Sequence, residues 1–406
     1  MTTPEPEPTA EQLRGDMVRQ LVDTGAARDP RVVDAFRAVP RHLAVPEVPL
    51  AKVYDAEFAA VTKSDDTGVQ ISSVSAARIQ AMQIEQAEIK PGMRVLEIGS
   101  GGPNAAYLAE MVGPDGEVVS IDIDPEVTAR AERFVKATGY RNITVLTGDA
   151  EDGAPEQGVF DRIVVTVQAA DIPPTWLAQL APQGRLVVPL RMRGMTRTIA
   201  FVRDGEQLVS ADYQLCGFVP MQGAGEDRMR LFLLHDAPGE EIALRVDGHP
   251  EPDTFALARA LAMPRQPVWS GVTLAGGESF DPAEFWLMSA LDNLPLMAAT
   301  PAARQNGLVA NASPLGVPTL VEGDSFAYRA TRATADPDRW ELGAIGHGPD
   351  GERLAQRLAE EFRTWDRDHR DQVATITVSP AGTPDDRPSA GRRITRRHSR
   401  ITITWP

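Results

Sequence analysis

The chain has 406 residues, of which 42% are hydrophobic, and a formal net charge of −16 at pH 7. This length predicts two domains, and the negative charge argues against nucleic acid or an anionic membrane as a partner. A single cysteine, Cys216, excludes a disulfide framework and a cysteine metal cluster, and the six histidines lack metal-ligand spacing, so we expect no metal site.

The N-terminal stretch, residues 1–11, is rich in Pro and Glu and lacks the basic start and apolar run of a signal peptide. No apolar run in the chain reaches the length of a membrane span. These features predict a soluble, cytoplasmic protein with a short disordered start. Apolar residues at helical spacing then predict helices at 10–25, 31–38 and 76–87.

The stretch at residues 95–104 predicts a ligand-binding corner. Residues 95–98 are typical of a buried strand, three glycines follow within four residues, and an Ala-rich helix is predicted at 105–111. Asn104 stands where a dinucleotide fingerprint would have its third glycine, and Glu97 would repel a phosphate. Both features favour a cationic nucleoside such as S-adenosylmethionine over a dinucleotide.

Two further strands end in acids. Residues 118–121 lead to Asp122, where a carboxylate can accept hydrogen bonds from both ribose hydroxyls. Residues 143–147 lead to Asp149, which we expect to meet an adenine amino group. Taken singly, these acids are equally typical of ordinary turns at strand ends. Together with the glycine corner they predict a nucleoside site.

Strands and helices alternate up to about residue 189, and a hairpin is predicted at 198–211. This order predicts a doubly wound, Rossmann-like α/β sheet that is mostly parallel and has an antiparallel edge. We assign residues 1–235 to this domain. Its remaining predicted elements are a strand at 160–166, a helix at 174–180 and a strand at 185–189.

Residues 236–406 carry no glycine-rich fingerprint, and we expect a second, smaller α+β domain there. Within it, Phe285, Trp286 and Met288 fit a helix core or a peptide groove, and the arginines at 392–397 fit a solvated strand face or an acidic peptide. The predicted elements are strands at 242–246, 268–274, 325–331, 373–378 and 394–405, helices at 282–291 and 351–366, and a loop at 380–393.

Several motifs occur in an order that is specific to one family. They are VPRH at 39–42, Ile71-Ser72 before a helix, KPGMRVLEIG at 90–99, Gly148-Asp149, FDRIVVT at 160–166 and PQGRLVVP at 182–189. On these motifs, residues 39–219 resemble the protein-L-isoaspartate O-methyltransferases. The resemblance implies a class I methyltransferase fold that uses S-adenosylmethionine and methylates a carboxylate.

The resemblance also implies the site residues. Ser72 matches the family's serine at the reacting carboxylate and is the candidate catalytic residue. A carboxylate is already ionised at neutral pH, so we expect Ser72 to orient it rather than to act as a nucleophile. Substrate contacts are expected from Ile71, Ser73, Val74 and Ser75. Cofactor contacts are expected from Glu97, Gly99, Ser100, Gly101, Asn104, Asp122, Ile123, Asp149, Ala150 and Thr166.

The chain departs from the family in two places. The family follows its serine with a small residue, proline and an aromatic residue or histidine, whereas residues 73–75 read Ser-Val-Ser. The repair enzymes also end near the sheet edge, whereas this chain continues through residues 236–406. That extension, and the joining segment at 216–221, look similar to homologues encoded with ribosomally made, modified peptides such as graspetides, lanthipeptides and lasso peptides.

Those homologues are thought to methylate an aspartate in a macrocyclic peptide, and the ester then closes to an aspartimide. The resemblance therefore implies a dedicated peptide partner, with the extension as a recognition module and the protein a monomer or weak homo-oligomer. Two alternatives stay open. One is a general isoaspartyl repair methyltransferase whose extension serves oligomerisation. The other is a cofactor-binding scaffold without catalysis, against which Ser72 and the strand-end acids argue.

Overall fold

The computed structural model describes residues 7–66, 68–99, 101–248, 250–310, 316–383 and 392–406. The described chain begins with two of the predicted helices. The first is stabilised at its start by a capping box of Thr9 and Gln12, and the second begins with proline and is capped by Asp29. Glu11 is helical, contrary to the disordered start expected for residues 1–11, of which 1–6 lie outside the described residues. The first helices are α1 (Ala10–Asp23), α2 (Pro30–Ala38) and α3 (Leu50–Val53).

A short hairpin precedes the main sheet. It pairs β1 (Ala60–Ser64) with β2 (Gln70–Val74), and the predicted third helix, α4 (Ala77–Ala87), follows. The register shifts between Val61 and Lys63, which marks a β-bulge in β1. Helix α4 joins the hairpin to the main sheet, since the Gln83 side chain donates a hydrogen bond to the Val165 carbonyl at 2.9 Å.

The first sheet alternates strands with helices and then becomes antiparallel. Its elements are β3 (Arg94–Ile98), α5 (Pro103–Val112), β4 (Glu117–Asp122), α6 (Pro125–Thr138), β5 (Ile143–Thr147), β6 (Phe160–Val165), α7 (Pro174–Gln179), β7 (Leu180–Met192), β8 (Met195–Asp204) and β9 (Gln207–Leu215). Five strands are parallel in the order β5-β4-β3-β6-β7, and β8 and β9 follow antiparallel. The predicted doubly wound sheet is therefore confirmed.

A second sheet follows in the chain, and its strand pairings among the described residues are antiparallel. Its strand order is β10-β11-β13-β14-β15-β16-β12, and helix α11 packs on β12, β15 and β16. The elements are β10 (Arg230–His235), β11 (Ile242–Val246), α8 (Thr254–Leu261), β12 (Gln266–Ala275), α9 (Asp281–Ala290), β13 (Leu296–Ala299), α10 (Pro301–Gln305), β14 (Val317–Glu322), β15 (Ser325–Ala333), β16 (Arg339–His347) and α11 (Gly351–Thr364).

The last part of the chain returns to the first sheet. Strands β17 (Thr375–Pro380), β18 (Arg392–Thr395) and β19 (Ser399–Thr404) extend it in the order β18-β19-β17-β9. The single strand expected at 394–405 is wrong, because a turn that brings the Arg396 amide to the Ser399 carbonyl at 2.8 Å divides it. The loop expected at 380–393 ends before Arg392, and residues 384–391 lie outside the described residues.

The pairing of β17 with β9 joins two parts of the chain that the expected domain boundary at residue 235 would separate. The ten-stranded first sheet takes strands from both sides of that position, whereas the seven-stranded sheet lies wholly after residue 229. A division into 1–235 and 236–406 as folding units stays a prediction, but the sheets do not follow it. Residues 236–406 thus combine most of the second sheet with one edge of the first.

One buried apolar cluster contains side chains of both sheets, such as Leu96 and Leu186 from the first and Leu274 and Leu358 from the extension. Phe285 of α9 is buried in this cluster against Tyr213 of β9, with ring centroids 5.1 Å apart. A core role for the segment around Phe285 therefore fits the structure. No helix among the described residues is long and apolar enough to cross a membrane.

Candidate functional site

A cleft of about 710 Å³, which includes its solvent-open mouth, lies at the carboxyl ends of β3, β4 and β6. The strand order reverses between β3 and β6, and open α/β sheets bind ligands outside such a reversal. Most of the predicted site residues line the cleft. They are Ile71, Ser72, Ser73, Val74, Ser75, Gly99, Gly101, Asn104, Asp122, Ile123, Ala150 and Thr166.

The glycine turn after β3 is packed against the end of β6. Gly99 has φ +94°, and a Cβ atom there would lie 2.5 Å from the Thr166 hydroxyl oxygen. That hydroxyl donates to the Gly99 carbonyl at 2.7 Å. Glycine is therefore required at position 99. Ser100, predicted as the next contact, lies outside the described residues.

Glu97 does not line the cleft, and the cofactor contact expected of it stays a prediction. Its side chain is fully buried and accepts hydrogen bonds from the Asn104 amide nitrogen, at 2.9 Å, and from the Ser120 hydroxyl. Burial raises the pKa of Glu97 to about 7, although both hydrogen bonds oppose the rise. The sequence did not indicate this arrangement, because the position of Glu97 in its strand does not show that Asn104 and Ser120 bind its two oxygens.

The next two acids differ in position. Asp122 lines the cleft at the end of β4, and one carboxylate oxygen accepts from the Asp124 amide at 2.9 Å. Asp149 does not line the cleft, because its two oxygens accept from the amides of Glu151, at 2.9 Å, and Ala224, at 2.8 Å. Its neighbour Ala150 supplies the wall there instead. The adenine contact expected of Asp149 stays a prediction.

The β1–β2 hairpin carries Ser72 into the cleft. The bulge in β1 sets Thr62 beside Ser72, and the Thr62 hydroxyl donates to the Ser72 hydroxyl oxygen at 2.9 Å. Lys63 fixes the same hairpin to the start of α6 by contacting Asp124 at 2.6 Å. The pKa of Lys63 is raised by that hydrogen bond. Ser72 thus stands at the cleft with its own proton available to a ligand.

The segment after β9 forms a wall of the cleft that the site prediction did not include. Residues 219–222 line the cleft, and the Gln222 side chain donates to the Ile71 carbonyl at 3.2 Å. Arg228 contacts Asp65 of the β1–β2 turn at 3.3 Å. The similarity noted for residues 216–221 was the one signal for this wall. Gln80, Ile98, Ile121 and Val167 also line the cleft and were missed.

Within the described part of the chain, the cleft lining fits a cationic nucleoside better than a phosphate ligand. It contains no lysine or arginine, which a phosphate would need. It does present the Asp122 carboxylate and the Asn104 carbonyl oxygen, which is buried and has no hydrogen-bond partner among the described residues. Both are acceptors, and they suit hydroxyl and ammonium donors of S-adenosylmethionine.

Comparison with known proteins gives the family. A model described as protein-L-isoaspartate(D-aspartate) O-methyltransferase matches residues 12–226. The chain belongs to this family. It is 37% identical over 216 residues to the protein-L-isoaspartate O-methyltransferase of Ignicoccus hospitalis, covering 52% of this chain and 98% of the relative. It is 36% identical over 216 residues to that of Methanopyrus kandleri, covering 52% and 92%.

Family membership makes the chain an S-adenosylmethionine-dependent carboxyl methyltransferase, as predicted. A solved structure titled protein-L-isoaspartate O-methyltransferase has the same fold, with a TM-score of 0.50 and 21% identity. That match covers 90% of this chain and 96% of the other, so it reaches well into the extension. The expectation that proteins of this name end near the sheet edge is therefore too narrow.

Proposed function

We propose that the chain methylates an aspartyl side-chain carboxylate in a ribosomally made, macrocyclic peptide, and that the ester then closes to a succinimide. One observation supports a dedicated acceptor above all. The wall at residues 219–222 contacts the hairpin that carries Ser72, since Gln222 donates to the Ile71 carbonyl at 3.2 Å, and it leads within eight residues into β10 of the second sheet. An acceptor bound at Ser72 would therefore have surface of the extension within reach.

Methyl transfer requires little from the protein beyond the orientation of the acceptor carboxylate and the cofactor. The acceptor carboxylate is ionised at neutral pH, since its usual pKa is about 3.9, so no general base is required. Thr62 donates to the Ser72 oxygen, which leaves the Ser72 proton to donate to one acceptor oxygen. When bound, S-adenosylmethionine supplies a methyl group activated by a sulfonium. Correct placement of two reactants can lower a barrier by roughly 7–11 kcal/mol.

The same residues explain how the site limits water. Val74 and Met221 both line the cleft with buried apolar side chains, which keep water from those parts of its wall. The product ester has a better leaving group than the free carboxylate. The next backbone amide nitrogen can then attack the ester carbonyl, release methanol and form the five-membered succinimide.

A second candidate is repair of isoaspartyl residues in damaged proteins. The match to relatives that carry this name over 92% and 98% of their length favours it. A repair enzyme needs contacts with the abnormal residue and little else, so it should tolerate many flanking sequences. The enzyme's preference for a normal or an isomerised residue is set by the difference between its affinities for the two. The Ser-Val-Ser sequence at 73–75 departs from the family there, and such a change can reverse the preference.

A direct comparison of acceptors tests the proposal. The protein is incubated with S-adenosylmethionine and either a generic isoaspartyl peptide or a candidate macrocyclic partner peptide, and both are followed by mass spectrometry. We expect the partner alone to gain one methyl group and then show a net loss of water. Gly99→Val is the control, because its side chain would collide with Thr166 and distort the glycine turn at the cleft. Turnover of the isoaspartyl peptide alone would overturn the proposal in favour of repair.

A further inference from the structure

Asn104 has one polar atom with a partner and one without. Its side-chain nitrogen donates to Glu97 at 2.9 Å, whereas its carbonyl oxygen is buried and has no hydrogen-bond partner among the described residues. Asn104 itself is only 3% exposed, yet it lines the cleft. Native proteins rarely leave a buried carbonyl oxygen without a partner, because its desolvation is costly. This oxygen therefore points to a ligand that donates a hydrogen bond.

Glu97 decides which atom of the Asn104 amide faces the cleft. The carboxylate oxygen next to Asn104 accepts a hydrogen bond, and only the amide nitrogen can donate one. The other carboxylate oxygen is taken by the Ser120 hydroxyl, so Glu97 cannot turn away. The nitrogen of the amide is thus held by Glu97, and the carbonyl oxygen is left as the atom that can accept from a ligand.

The position of Asn104 along the sheet indicates which part of the cofactor it meets. Asp122, at the end of β4, and Ala150, after β5, lie on one side and suit the adenosine part. Asn104 lies in the first turn of α5, on the side of the glycine turn after β3, which packs against Thr166 at the end of β6. The amino-acid part of S-adenosylmethionine would lie on that side, and its ammonium group is a strong hydrogen-bond donor.

We propose that the Asn104 carbonyl oxygen accepts a hydrogen bond from the ammonium group of the cofactor, and that Glu97 is a positioning residue that holds the Asn104 amide in this orientation. Glu97 does not itself contact the cofactor. This assignment concerns the cofactor alone and holds for either acceptor, the aspartyl peptide or the isoaspartyl residue.

Calorimetry with two ligands tests the assignment without measuring activity. S-adenosylhomocysteine carries the amino-acid part, and 5′-methylthioadenosine lacks it. Asn104→Leu should weaken S-adenosylhomocysteine binding at least about tenfold and leave 5′-methylthioadenosine binding unchanged. Glu97→Leu should do the same, because it releases the Asn104 amide. Glu97→Gln should stay within about threefold of the wild type, because the glutamine carbonyl still accepts from Asn104.

The two ligands distinguish a contact between Asn104 and the ammonium group from a role of Asn104 in the fold alone. Equal loss of both ligands in Asn104→Leu would show that the residue only supports the fold of the turn, and unchanged S-adenosylhomocysteine binding would show that it does not meet the ammonium group. Either result overturns the proposal. Asn104→Ala serves as a second variant if the leucine side chain prevents folding, which near-ultraviolet circular dichroism would reveal.

Discussion

Thr62→Val removes one hydroxyl group from the bulge of β1 and preserves the shape of the side chain. The Thr62 hydroxyl donates to the Ser72 oxygen at 2.9 Å, and both residues are half-buried. We expect the variant to bind S-adenosylmethionine normally and to transfer methyl groups more slowly, because Ser72 is then free to rotate away from the acceptor. A typical intramolecular hydrogen bond contributes about 0.5–1.5 kcal/mol, which corresponds to a loss of about two- to twelvefold in kcat.

The assay is methyl transfer under saturating cofactor, with the cofactor Kd measured in parallel by calorimetry. Val61→Thr is the matched control, since it exchanges the same two residue types one position earlier on an exposed side chain. Ser72→Ala should slow transfer more strongly than Thr62→Val.

The double variant decides whether Thr62 acts through Ser72. If it does, Thr62→Val should add nothing to the loss already caused by Ser72→Ala, because there is no longer a hydroxyl to orient. Additive losses in the double variant would refute the reasoning. The reasoning would also be refuted if Ser72→Ala were inactive while Thr62→Val kept wild-type activity.

Three further predictions follow from the site and its supports. Asp122→Ala should weaken cofactor binding at least about tenfold, or roughly 1.4 kcal/mol, by calorimetry, and unchanged binding would mean that the ribose lies elsewhere. The raised pKa of Glu97, about 7 against 4.5, means that the folded state binds the extra proton, so unfolding free energy relative to Glu97→Gln should fall by about 2–3 kcal/mol between pH 5 and pH 8 in urea titrations; a rise over that range contradicts the burial argument. Asp281→Ala should lower the unfolding free energy by about 3–5 kcal/mol, because it leaves the fully buried Arg197 guanidinium without its ion pair, and a change below 1 kcal/mol in the same titration would show that Arg197 finds another partner.

The parallel strands were the most predictable part of this fold. Strands buried on both faces read as nearly continuous apolar runs, and Val95, Leu96 and Ile98 show that pattern, with the buried Glu97 as the exception. The cleft at their carboxyl ends follows from the same pattern, since the position of the glycine turn fixes where a ligand can approach. Twelve of the predicted site residues meet there for that reason.

What could not be predicted depends on contacts between distant parts of the chain. Asp149 follows its strand as expected, but Ala224 lies 75 residues later and takes one of its oxygens. The pairing of Thr377 with Val209 is likewise invisible in a local pattern of apolar and polar residues. Periodicity shows which face of a strand is buried, and it does not show which strand lies alongside.

The pairing of β9 with β17 has a consequence for how the protein is made. Leu208 and Val378 are cross-strand partners 170 residues apart, so β9 emerges from the ribosome long before its neighbour. At roughly 5–20 residues per second, synthesis of the intervening chain takes about 10–30 s. During that time β9 presents an unpaired edge, which is a template for association with other strands. The second sheet therefore lies, in sequence, between two neighbouring strands of the first sheet, and the first sheet stays incomplete until the last strands are synthesised.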